Sequence, residues 1–224
     1  MRLFLDTANL DEVRQASEFG VITGITTNPS LAAKEGIGDQ KSYKASILEI
    51  AQIVAGPISV EVTARGVDAM VGQARDIATW HEQVVVKLPS TKDGFKAMAI
   101  VAQDGTPINQ TLCFSVNQAI LGAQIGVTYV SPFVGRLDDE GFDGMKLVKD
   151  IVGIFKNFEI QTNVLAASIR HPLHCVRAAQ AGAQMATIPF KVLQQMTHHS
   201  LTEIGDSVFN KDWERAASAR SAKV

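Results

Sequence analysis

Lys87 closes the run Val84-Val85-Val86-Lys87-Leu88-Pro89, a β-branched stretch that reads as a buried strand stopped by proline. An ammonium is costly to desolvate, so a lysine enclosed there needs a partner or a task. An apolar wall favours the neutral amine, which adds to carbonyl carbon. The chemistry suggested is a Schiff base that holds a carbonyl compound through nitrogen. A lysine at a strand end that snorkels to water is the bland alternative. The strand alone leaves both open.

Other polar residues fall at comparable places. A first β-rich run ends at Asp6 and a second at Thr26-Thr27-Asn28; the third carries Glu61. The fifth carries Asn109 and Thr111, the sixth Ser131 and Phe133, and the seventh ends at Ser168. Asn109/Thr111 and Ser131/Phe133 obey the two-residue period that points side chains the same way. Arg136 and Arg170 follow the sixth and seventh runs, and their guanidinium forks beside hydroxyls such as Ser168 suit a phosphate monoester. Gly135 permits a tight approach there. Each residue also has a plain structural reading. Asn28 before Pro29 can shape a turn, Glu61 can be a structural ion-pair partner of Lys87, and the arginines can pair with Asp138 or Asp139. His171 and His174 are three apart, but with no further ligands in view a capping or core role is expected, not a metal site.

Placing these residues together requires a particular scaffold. The strand candidates are Arg2–Asp6, Val21–Asn28, Ile58–Thr63, Val84–Pro89, Pro107–Phe114, Thr128–Val134, Ile160–Ser168 and Met185–Phe190. Between them run helical patterns at Asp11–Phe19, Val67–Trp80, Gly94–Gln103, Val116–Ile125, Gly144–Phe158 and Pro172–Ala181. Asn9 and Ser115 are placed as N-caps, while Gly20, Gly126 and Gly182 are placed as left-handed C-caps. Strict alternation means parallel strands and right-handed crossovers, and eight units in this length fit an α/β fold, the (β/α)8 TIM barrel. In that architecture active residues gather at the C-terminal ends of the strands, where the polar set lies. No glycine-rich dinucleotide loop follows the first strand. Residues 1–199 are read as the barrel and 200–224 as a helical tail of the same domain. Ile204, Val208 and Trp213 form the tail's apolar stripe over Thr202–Ala219, which has no slot inside a closed barrel.

The balance of 21 basic and 23 acidic residues gives a formal charge of −2, so no global field attracts nucleic acid or an anionic membrane. Any bound anion must be held locally. Cys113 and Cys175 are expected as small core residues, with no disulfide framework. Neither a signal peptide nor a membrane span is read, which leads to the expectation of a cytoplasmic protein.

Several of these stretches are familiar as a set. Leu5-Asp6-Thr7-Ala8, Gly24-Ile25-Thr26-Thr27-Asn28-Pro29-Ser30, Val86-Lys87-Leu88-Pro89, Tyr129-Val130-Ser131-Pro132-Phe133-Val134-Gly135-Arg136 and Ala166-Ala167-Ser168-Ile169-Arg170 resemble the transaldolase family. The likeness is to its short members, a group that includes the fructose-6-phosphate aldolases, and it covers essentially the whole chain. It implies a class I mechanism without metal or other cofactor. Lys87 matches the Schiff-base lysine, Asp6 the general acid/base, and Glu61 a carboxylate that works through a water held with Thr111. Thr27, Asn28 and Asn109 match positions that contact the substrate, Ser131 and Phe133 line the pocket, and Arg136, Ser168 and Arg170 match the phosphate site.

The resemblance further implies transfer of a dihydroxyacetone unit between ketose and aldose phosphates in the non-oxidative pentose phosphate pathway. The aldolase members, which release free dihydroxyacetone, carry glutamine where this chain has Glu61 and tyrosine where it has Phe133. A phenol can help protonate the bound intermediate, whereas Phe133 has no proton to give. Transfer is therefore the first reading and fructose-6-phosphate aldolase the alternative. A phosphosugar isomerase on the same fold and a non-catalytic sugar sensor are further alternatives. The short members form decamers of two pentameric rings with tails crossing between subunits, so a homo-oligomer is expected.

Overall fold

The computed structural model describes residues 1–221. The first half of the chain runs β1 (Arg2–Asp6), α1 (Leu10–Glu18), β2 (Ile22–Thr26), α2 (Pro29–Lys34), α3 (Gln40–Ile53), β3 (Ile58–Glu61), α4 (Val67–Ala78), β4 (Val84–Pro89) and α5 (Lys92–Gln103). It continues with β5 (Ile108–Cys113), α6 (Val116–Ile125), β6 (Tyr129–Pro132), α7 (Val134–Asp139), α8 (Gly144–Asn157), β7 (Asn163–Ala166), α9 (Pro172–Ala181), β8 (Met185–Ile188), α10 (Phe190–Thr197) and α11 (Ser200–Ser221). The strands are parallel and pair in sequence order, and β8 returns to β1 to close an eight-stranded barrel. This is the expected (β/α)8 architecture with an added C-terminal helix.

Local signals account for most element ends. The Asn9 side chain accepts from the Glu12 N–H at 2.9 Å to start α1, and Ser115 does the same for α6 from Gln118 at 3.2 Å. Gly126 and Gly182 adopt φ of 87° and 86° and close α6 and α9 in the left-handed conformation.

The largest departure from the sequence pattern lies between β2 and β3. β2 stops at Thr26, and Asn28 caps α2 by accepting the Leu31 N–H at 2.9 Å, with Pro29 at the first helical position. A second helix, α3, then starts on Asp39, whose carboxylate accepts from the Lys41 and Ser42 N–H groups. The crossover after β6 likewise contains the short α7 before α8. β7 begins at Asn163, three residues later than its apolar run suggested.

Period-two alternation divides the barrel into two compartments. Outward residues such as Leu5, Ile25, Val86, Leu88, Val130 and Ile188 bury themselves beneath the helices. Inward residues Phe4, Val85, Tyr129, Leu165 and Met185 form a separate apolar cluster, with Phe4 edge-on to Tyr129 at 6.2 Å between centroids. Two residues further along four of those strands come the polar Asp6, Lys87, Ser131 and Thr187. The interior is thus a hydrophobic plug overlaid by a polar layer toward the strands' C-terminal ends.

Cys113 and Cys175 are both buried and free, as expected, and burial pushes the Cys113 thiol up to about 12. The tail forms the long α11. Its apolar side chains Leu201, Ile204, Val208, Phe209 and Trp213 are exposed, Trp213 at 78%. Residues 222–224 of the expected tail lie outside the described residues. Among the described residues no helix is long and apolar enough to cross a membrane.

Candidate active site

β4 carries Lys87 to the polar layer, where its side chain is almost wholly enclosed, the residue being 4% exposed. Its Nζ donates to the Thr27 carbonyl at 3.0 Å and lies 3.1 Å from Glu61 Oε2. Parallel pairing of β3 with β4 sets Glu61 and Lys87 opposite each other in register. The ion pair foreseen as Glu61's structural role is therefore present. It also gives the lysine a base at proton-transfer distance, which a Schiff-base nucleophile requires.

Asp6 enters from β1. Its carboxylate accepts from Thr26 Oγ1 at 2.6 Å, and Thr26 Oγ1 meets Thr187 Oγ1 at 2.6 Å. Burial pushes the Asp6 carboxyl above the ordinary carboxylate range, against the opposing pull of Lys87 and the Thr26 hydrogen bond. A carboxyl with raised proton affinity is suited to accept and return a proton.

β5 and β6 supply a linked amide and hydroxyl. Asn109 donates to Ser59 Oγ at 3.0 Å and accepts from Ser131 Oγ at 2.6 Å. Thr111 is fully buried on β5, and its Oγ1 has no hydrogen-bond partner among the described residues. Buried hydroxyls are rarely left so, and a water or substrate oxygen would satisfy it.

The phosphate candidates stand at the rim. Phe133 stacks edge-on against Phe114 at 5.5 Å, and the Arg136 guanidinium lies over its ring, 5.1 Å from the centroid. Ser168 has φ of 57°, a left-handed backbone uncommon for serine, and its carbonyl accepts from the Gly135 N–H at 2.9 Å. A Cβ at Gly135 would sit 2.3 Å from that carbonyl oxygen and 2.6 Å from Arg170 Nε. The glycine is what lets the two arginine-bearing segments touch. Arg170 also pairs with Asp139 at 2.8 Å, the ion pair allowed for in the sequence reading.

Eight of the twelve expected residues border one cavity of about 240 Å³: Asp6, Asn28, Lys87, Ser131, Phe133, Arg136, Ser168 and Arg170. Glu61 reaches it through Lys87, and Asn109 through Ser131. Thr111 lies on the adjoining strand face without bordering it. Thr27 departs from its expected substrate contact. Its hydroxyl turns away to Tyr43 and the Ser59 carbonyl, and only its own carbonyl faces Lys87. Burial pushes the Tyr43 phenol up to about 12, against the lowering effect of its contact with the Thr27 hydroxyl. Thr26, one residue earlier, holds Asp6 instead. The two-residue period already placed Thr26 with Asn28 and Thr27 on the opposite face. Thr187 also borders the cavity and was missed, although it is the one hydroxyl of Met185–Ile188, whereas Ser30 and Lys34 border it from α2, a helix the pattern did not show.

A family model described as Transaldolase/Fructose-6-phosphate aldolase matches residues 3–223. The chain belongs to this family. A probable transaldolase of Caldicellulosiruptor saccharolyticus is 53% identical over 96% of this chain and 98% of its own length. A probable transaldolase of Roseiflexus castenholzii is 55% identical over 96% and 97% of the two chains, and one of Dehalococcoides mccartyi is 53% identical over 96% and 98%. Family membership accounts for why polar groups from separate strands meet in one cavity.

Proposed function

We propose that this chain is a transaldolase working through a Schiff base on Lys87. The observation that carries the proposal is a lysine with little exposure, 3.1 Å from a carboxylate, in a cavity whose rim bears two arginines. Glu61 is placed to accept the proton that the Lys87 ammonium must lose before Nζ becomes nucleophilic. Nζ then adds to the C2 carbonyl of a ketose phosphate, and loss of water from the carbinolamine leaves an iminium. Glu61, with a water held at Thr111, carries the protons of that dehydration. The phosphate is held by Arg136, Ser168 and Arg170, while Asn28, Asn109 and Ser131 orient the sugar hydroxyls.

Asp6 removes the proton from the C4 hydroxyl. The electrons of the C3–C4 bond flow into the iminium, an aldose phosphate departs, and an enamine of dihydroxyacetone remains on Lys87. A second aldose phosphate adds by the reverse steps, with Asp6 returning the proton. Fructose 6-phosphate and sedoheptulose 7-phosphate are the proposed donors. Glyceraldehyde 3-phosphate and erythrose 4-phosphate are the acceptors, as in the non-oxidative pentose phosphate pathway. Phe133 offers the enamine no proton, which favours waiting for an acceptor over release of free dihydroxyacetone. The proposed compartment is the cytoplasm.

The exposed stripe of α11 supports a homo-oligomer in which the tail packs on another copy, a decamer of two pentameric rings being the proposed form. Borohydride reduction in the presence of fructose 6-phosphate should attach the sugar to Lys87 and to no other lysine, and Lys87→Met should abolish both attachment and turnover. Turnover without attachment would exclude the covalent route. Free dihydroxyacetone accumulating from fructose 6-phosphate alone, at the rate of transfer, would turn the assignment to an aldolase.

A further inference from the structure

His174 lies on α9 behind the rim and touches neither the cavity nor Lys87, yet it is 5% exposed and engaged on both nitrogens. Nδ1 accepts from the backbone N–H of Arg170 at 3.3 Å. Nε2 lies 3.1 Å from Asp138 Oδ2, and the other oxygen of Asp138 accepts from the Gly144 N–H at 2.9 Å. An N–H aimed at Nδ1 requires that nitrogen to be bare, so the ring's one proton sits on Nε2 and faces the carboxylate. This chain of contacts joins the segment after β7, which bears Arg170, to α7, which bears Arg136.

We propose that His174 is a positioning residue for phosphate recognition, setting the placement of Arg170 relative to Arg136 through the Asp138–His174–Arg170 backbone linkage. The inference rests on reading the two arginines as the phosphate site. The groups facing the ring are Asp138 from α7, His171 with ring centroids 3.8 Å apart, Arg170, and Arg177 of α9. Burial lowers the His174 pKa, His171, Arg177 and Arg170 add to this, and Asp138 opposes it. The neutral ring that the geometry needs is therefore the favoured form near neutrality. A proton on Nδ1 would set N–H against N–H and release the Arg170 backbone.

The test compares wild type, H174L, H174N and R170A in steady-state transfer from fructose 6-phosphate and in borohydride trapping with unphosphorylated dihydroxyacetone. H174L should raise KM for fructose 6-phosphate about tenfold with kcat changed less than about twofold, since the guanidinium is misplaced but the chemistry is not. Its half-saturating concentration of dihydroxyacetone for trapping should stay within about twofold of wild type, because that ligand has no phosphate to place. Asparagine can present an oxygen near the position of Nδ1, so H174N should recover KM to within about threefold.

On acidification the wild-type KM should rise more steeply than that of H174N; the ligand's own phosphate ionisation, near pH 6, is common to both. Equal losses for both ligands, or parallel pH profiles of wild type and H174N, would overturn the positioning role even if H174L folds poorly. If R170A itself leaves KM for fructose 6-phosphate unchanged, the phosphate reading falls and this inference with it. If R170A raises KM while H174L and H174N both match wild type, only the inference falls.

Discussion

Replacing Gly135 with alanine adds one carbon where the two arginine segments meet, and the consequences follow from distances. The new Cβ would lie 2.3 Å from the Ser168 carbonyl oxygen, 2.6 Å from Arg170 Nε and 2.7 Å from Arg170 Cγ. Comfortable contact begins near ~3.5 Å, so the Arg170 side chain must retreat by roughly 1 Å. A charge-assisted hydrogen bond of about 2.8 Å lengthened that far is no longer one, and such a contact contributes on the order of 2 kcal/mol. Binding of a sugar phosphate should weaken about 30-fold. Overpacking should also lower stability by about 1–3 kcal/mol, which urea denaturation would report separately. The assay is KM for fructose 6-phosphate beside borohydride trapping with dihydroxyacetone, which should change less than about threefold. An unchanged KM in a folded variant would refute the claim that Gly135 sets the arginine geometry.

Asp6→Asn should still be trapped by borohydride but lose carbon–carbon cleavage by about 10²–10⁴-fold, since imine formation does not use that base. Because burial raises the Asp6 pKa in the folded state, that state holds its proton more tightly than the unfolded chain, and Asp6 costs stability once pH exceeds the unfolded carboxylate value. Asp6→Asn should therefore raise Tm at neutral pH, with the gain shrinking as pH falls below the raised folded-state value and gone below the ordinary carboxylate value; a calorimetric gain constant with pH would contradict this. Asp139→Asn frees Arg170 from an exposed carboxylate, so KM for fructose 6-phosphate should fall by about two- to fivefold; a rise would mean that Asp139 holds the arginine in place. Deleting the chain from Leu201 onward should reduce the mass measured by light scattering, and an unchanged large assembly would remove the tail from the interface.

The barrel was legible because alternation of short β-rich runs with amphipathic stretches survives almost the whole chain. Lys87 and Asp6 were legible because charges at the ends of buried runs conflict with their surroundings. Between β2 and β3 the reading failed where α2 and α3 occupy one crossover, since a helix begun by Asn28-Pro29 looks the same as a turn until its length is known. Lys34 and Ser30 were hidden for that reason. Thr27 was assigned by membership in a motif, while the strand's own period favoured Thr26. A core role for His174 was legible, but its pairing with Asp138 was not, since it joins positions 36 apart in the chain and exists only once the barrel is closed.

The apolar plug of Phe4, Val85, Tyr129, Leu165 and Met185 lies beneath the polar layer, and the cavity above it is bordered at the rim by Arg136, Ser168 and Arg170. In the proposed reaction the donor sugar, the product cleaved from it and the acceptor would share that rim. Double-displacement kinetics would then be a matter of plumbing as much as of covalent chemistry. Excess acceptor would occupy the doorway before the donor arrives, inhibiting competitively with the donor, and widening the catalytic pocket would not relieve the queue. Opening an exit through the barrel floor would require hollowing out packing contributed by five of the eight strands.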